Sequence, residues 1–143
     1  MRKWSRLQSP KTPQRPMSTA LSIDTALLAG VFLLSSSAKL LVPKDKLATV
    51  PLGGWTADAS VGFVKALGVV EALAAAGLIL PDAFDIAPGL VPLDAVCIDL
   101  LMVGALTTHL RRHEPVGVAL NLAYLAMAAF VAWGRSGHRS FRR

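Results

Sequence analysis

The apolar residues of this chain come in four blocks separated by short polar connections. The blocks are Ala20–Leu41, Val61–Leu80, Gly89–Leu110 and Val116–Trp133, of 22, 20, 22 and 18 residues. A helix needs roughly 20 residues to cross a hydrocarbon core of about 30 Å, so each block predicts one transmembrane helix. The connections PDAFDIAP (81–88) and RRHEP (111–115) are tight, and short connections force neighbouring helices to run antiparallel. The longest connection, 42–60, carries Pro43, Pro51 and Gly53-Gly54-Trp55; it is expected to lie at the interface with a short helix. The predicted fold is an all-α, transmembrane, up-down-up-down four-helix bundle.

Composition agrees with the pattern. The chain has 143 residues, 53% hydrophobic, and the blocks leave no room for a soluble domain beside them. The expected organisation is a basic disordered arm over 1–16, a four-helix domain over 17–135 and a basic tail over 136–143. Met17 is an alternative start to Met1. A signal-peptide reading, with Ala26–Leu34 as the apolar stretch before Ser36-Ser37-Ala38, is disfavoured by the long preceding region and by Asp24. The net charge of +6 does not point to nucleic acid, because it is concentrated at the chain ends, as in the cytoplasmic flanks of membrane helices. Lys and Arg counts place both termini inside a bacterial-type plasma membrane, provided that the arm is counted. Trp4, Trp55 and Trp133 fall at or beyond the block ends, as in an interfacial belt. Gly68, Ala72 and Ala76, and Gly104 with Thr108, form small-residue faces for helix packing, and an exposed one could make a homodimer. Pro92 is expected to bend the third helix.

Chemistry enters through the polar residues inside the blocks. A short carboxylate at bilayer depth is costly unless paired, neutralised or facing a polar cavity. Glu71 and Asp99 are each near the middle of a block. Lys39, His109 and Asn121 lie closer to the ends that face outward in the expected orientation. These five are the candidate ligand- or proton-binding residues, and Glu71 is expected to pair with Lys39 or His109. Lys65 is read as snorkelling to the interface, Asp24 as a helix cap or headgroup contact, and Asp94 as solvated near Pro92. Cys97 is the sole cysteine; it is read as a buried apolar residue, and no Cys-x-x-Cys or metal-ligand spacing accompanies it. No catalytic residue or metal site is assigned.

Several segments, in order, resemble the DoxX-like family of small four-helix membrane proteins. SSSAKL (35–40) is similar to the family's Ser-Gly-x-x-Lys-Leu, and KALGVVEALAAAGLILP (65–81) to its Gly-x-x-Glu-Leu and Gly-Leu-x-Leu-Pro segments. LLMVGALTTHLRRHEP (100–115) resembles its Met-x-Gly-Ala and Thr-His run, and NLAYLAMAAFVAWGR (121–135) fits its fourth helix. The resemblance carries Lys39, Glu71 and His109 onto the family's polar positions. It departs at Ser36, where glycine is usual, and at Asp94 and Asp99, where small or apolar residues are expected. The family name comes from a quinol-oxidase or thiosulfate-oxidising subunit, so the resemblance admits a quinone and a redox partner. The chain itself has neither a cysteine pair nor two intramembrane histidines for haem. Three readings stay open: a membrane protein binding a small apolar, quinone- or lipid-like ligand; a proton-exchanging or non-catalytic subunit of a quinone-linked membrane oxidoreductase; and a structural partner of a membrane complex.

Overall fold

The computed structural model describes residues 15–84 and 90–137. These form six helices: α1 (Arg15–Leu41), α2 (Lys44–Leu47), α3 (Trp55–Asp58), α4 (Val61–Ala83), α5 (Leu90–Arg111) and α6 (Pro115–Gly137). The arm up to residue 14, the 85–89 part of the second connection and the tail from 138 lie outside the described residues.

Four of these helices contain spans long and apolar enough to cross a membrane: Thr19–Leu41, Val61–Pro81, Leu93–Arg111 and Pro115–Gly134. Most of the helices outrun their apolar blocks. α1 begins at Arg15 rather than Ala20, inside the segment expected to be a disordered arm. α4 continues through Pro81 to Ala83, and α6 extends to Gly137. Once nucleated, a helix gains one hydrogen bond for each residue it fixes, so it runs past the point where hydropathy stops. α4 starts cleanly because the Phe63 N–H donates to the Ser60 Oγ at 3.1 Å, which satisfies one of the helix's first free N–H groups.

α1 packs most extensively on α4, and α5 on α6; α4 against α5 and α1 against α6 close the ring. The interior is apolar, with Leu28 and Phe32 of α1, Leu78 of α4, Ile98 of α5 and Val131 of α6 buried in one cluster. The outside is apolar too: Leu34 is 75% exposed and Leu100 70%. A continuous apolar exterior of this kind needs lipid around it.

Glycines set the closest helix approaches. A Cβ on Gly68 would lie 3.0 Å from the Lys39 Cβ and 3.1 Å from the Leu40 Cγ, so α1 and α4 meet tightly at the level of Lys39. Gly134 makes room for Leu21, and Gly77 for Asp94. Gly104 differs: nothing lies within 4 Å of where its Cβ would be. The Gly104–Thr108 stripe is therefore not a packing face within the chain.

The 42–60 connection folds back over one end of the bundle as two single-turn helices, α2 and α3. Leu47 and Thr56 are buried in it, and the Thr56 hydroxyl donates to the Gly53 carbonyl at 2.8 Å. A side chain at Gly53 would overlap the Leu47 carbonyl oxygen, so only glycine fits there. Leu52 sits in left-handed backbone, with φ 64°.

Candidate functional site

Under this cap, all four long helices contribute to one cavity of ≈ 600 Å³. It is lined by the C-terminal part of α1, the N-terminal half of α4, the C-terminal half of α5 and the start of α6, with Leu52 and Trp55 as its cover. Lys39, Glu71, His109 and Asn121 all line it. Asp99 does not.

The α1–α4 wall carries an ion pair. The Lys39 Nζ lies 2.9 Å from Glu71 Oε2 and 3.0 Å from Oε1, and it donates to the Ser35 Oγ one turn back at 2.6 Å. The indole of Trp55 covers it, with the ring centroid 5.9 Å away. An ammonium group has three protons, and the carboxylate and the hydroxyl occupy them. The two side chains are only 13% and 10% exposed. Each thus compensates the other's desolvation, although a buried pair need not stabilise the fold beyond an apolar pair of the same shape. The close crossing at Gly68 brings α1 near enough for this contact. Lys65, read from sequence as snorkelling, instead donates to the Leu40 carbonyl at 2.7 Å. It satisfies one of the carbonyls left free at the C-terminal end of α1, where a cation also suits the helix dipole.

The α5–α6 wall is built by a turn. The Glu114 N–H donates to the His109 carbonyl, the His113 N–H donates to the Leu110 carbonyl, and His113 takes φ 55°. This is a Schellman ending, which brings the residue after the left-handed position back over the last full turn of the helix. Usually two apolar side chains meet there. Here they are Glu114 and His109, and the Glu114 Oε2 accepts from His109 Nδ1 at 2.5 Å. Arg112 extends the chain of charges: its Nε donates to Glu114 Oε1 at 3.0 Å and its Nη1 to Asp58 Oδ2 at 2.5 Å, tying the cap to the turn. Hydrogen bonds from His109 and then Arg112 hold the Glu114 carboxyl below the usual carboxylate range. The hydrogen bond to Glu114, helped by Asp58, pushes the Arg112 guanidinium up.

Gly117 is part of this wall. A Cβ there would lie 2.5 Å from His109 Nδ1, so the imidazole rests directly on the α6 backbone. The Asn121 Nδ2 donates to the Gly117 carbonyl at 2.8 Å. Tyr124, one turn further, also lines the cavity.

The other polar residues go elsewhere. Asp94 lines a separate groove of ≈ 430 Å³ between α4 and α5, with Val70, Leu73 and Cys97. Its Oδ2 has no hydrogen-bond partner, and it is half-buried rather than solvated. Asp99 Oδ1 and Asp24 Oδ2 are likewise buried without partners, so Asp24 is not a cap. Cys97 is exposed, not buried, because it falls on the outer side of α5. Trp55 is a cavity cover rather than a belt residue, whereas Trp133 is exposed at its helix end. Among the described residues, no group of His, Cys, Asp and Glu could hold a metal ion.

Sequence reasoning overlooked Glu114, Arg112, Trp55 and Tyr124. The 109–115 segment, HLRRHEP, did hold a signal: a histidine followed five residues later by a glutamate across a helix-ending turn. Comparison with curated proteins and with solved structures found no match. The sequence pattern of the DoxX-like family matches residues 23–131, well over half of the chain. With four apolar helices of membrane-spanning length around it, the match makes this a multi-pass membrane protein of the DoxX-like family.

Proposed function

We propose that the protein binds a small amphipathic ligand, of the size and character of a quinone or a lipid, in the cavity under the 42–60 cap. The observation that carries this reading is the cavity itself: ≈ 600 Å³, lined by Lys39, Glu71, His109 and Asn121 among apolar residues such as Val31, Phe32 and Leu101. Ligand sites are commonly about 300–1,000 Å³, mostly apolar, with a few convergent polar groups. The cavity end faces outward in this reading, in accord with the excess of Lys and Arg near both chain ends.

Native mass spectrometry of the protein purified in mild detergent tests the binding. The expected result is a co-purified small molecule, or uptake of a short-chain quinone that is lost when Glu71→Gln or Asn121→Leu is introduced. A bare protein that takes up no quinone or lipid in the folded state would remove the reading. The orientation is tested separately. In a Cys97→Ser background, a cysteine at Asp58 should react with an impermeant maleimide added outside whole cells.

A further inference from the structure

The walls of the cavity differ in which polar atoms are already occupied. On the α1–α4 side, Lys39 and Glu71 neutralise each other and Ser35 takes the remaining ammonium proton. At the turn, Glu114 is shared by His109 and Arg112, and Asp58 balances Arg112. Among the described residues, no cation facing the cavity is left without a carboxylate. The α5–α6 wall is different. With His109 Nδ1 committed to Glu114, Nε2 makes no hydrogen bond to a described residue. Asn121 uses its Nδ2 on Gly117 and leaves Oδ1 unused. The Tyr124 hydroxyl, on the same wall, has no hydrogen bond to a described residue either. Three polar atoms without a partner among the described residues, on one cavity wall, offer a guest convergent hydrogen-bonding positions. The exposed part of the lining is apolar: Phe63, Leu100 and Leu120 stand at the rim.

From this we infer, building on the ligand-binding reading above, that the cavity selects an uncharged amphiphile over an anionic or cationic one. Its hydrogen-bonding head lies against His109, Asn121 and Tyr124, and its apolar part leaves past Phe63 and Leu100. A carboxylate or phosphate head would have to draw Lys39 away from Glu71 and strand that acid at depth. A quaternary ammonium head would find both internal carboxylates already taken. Either charge would be desolvated without compensation, which costs far more than placing a hydroxyl or carbonyl there.

The test compares three probes of one chain length on the purified full-length protein: decanol, decanoate and decyltrimethylammonium, each followed by native mass spectrometry and by tryptophan fluorescence. The expected result is that decanol binds more tightly than either ion by about tenfold or more. Tyr124→Phe and Asn121→Leu should each weaken decanol. Decanoate binding as well as decanol, or better, overturns the selectivity while leaving a ligand site standing. Preference for decyltrimethylammonium overturns it in the same way. If none of the three binds to folded protein, the ligand-binding reading itself is lost.

Discussion

The two ends of the bundle treat buried acids in opposite ways. At the capped end, Glu71 receives Lys39, and Glu114 receives His109 and Arg112. Toward the other end and at mid-height, Asp24, Asp94 and Asp99 each bury a carboxyl oxygen with no partner. The distribution of bases explains the contrast. Among the described side chains, Lys39, Lys44, Lys46, Lys65, Arg111 and Arg112 all belong to the capped end. A carboxylate at depth is therefore not in itself a mark of a site. What sets Glu71 apart is a cation on the neighbouring helix at its own level, beside open space.

Breaking the Lys39–Glu71 pair should have the largest effect. Lys39→Met strands the Glu71 carboxylate, and removing one partner of a buried ion pair costs about 3–5 kcal/mol. Denaturant unfolding in mixed micelles should show this loss, and the Lys39→Met/Glu71→Leu double variant should recover most of it. A single variant as stable as the parent would erase the distinction between the two ends.

Gly117→Ala comes next. The new methyl occupies the space of the His109 ring, and such overpacking costs about 1–3 kcal/mol. The imidazole nitrogen shifts should report loss of the Glu114 contact. An unmoved ring would mean that the α5–α6 wall is looser than its geometry implies.

Asp94→Asn sharpens the comparison from the other side. It removes an acid whose buried oxygen has no partner, so stability should hold or rise. A loss as large as that from Lys39→Met would reveal a partner at the uncapped end. His113→Gly should gain up to about 1 kcal/mol, since glycine takes the left-handed position without steric cost.

The smallest effect concerns pH. Glu114 is held below the usual carboxylate range in the folded protein, so its contribution to stability is present above that range and is lost as pH falls through the lowered value. Acid should therefore loosen the Arg112 link to the cap before it touches the apolar core. Faster amide exchange around residues 52–58 should show it, and Glu114→Gln should weaken the pH dependence.

Much of the fold can be read from hydropathy because a membrane crossing demands a run of apolar residues whatever its neighbours are. The runs predict four helices, and the short connections make them antiparallel. Residue depth follows too, since rise per residue is constant; this marks Glu71 and Asp99 alike. Apolar runs carry almost no information about which face of a helix turns inward, because lipid and core are equally apolar. That is why Cys97 reads as buried in the sequence and is exposed in the structure, and why Asp99 reads as a companion of Glu71 and lies off the cavity.

The sequence by itself determined the number of long helices, their order and the polar residues that each brings to the capped end. Only the tertiary structure decided the partners. Glu71 takes Lys39, 32 residues away, because Gly68 lets α1 and α4 cross closely at that level. His109 takes Glu114 because a Schellman turn folds the chain back onto its own helix. The space between these two pairs depends on where all four helices stand at once. Hydrophobic patterning specifies each helix singly and cannot specify their joint placement.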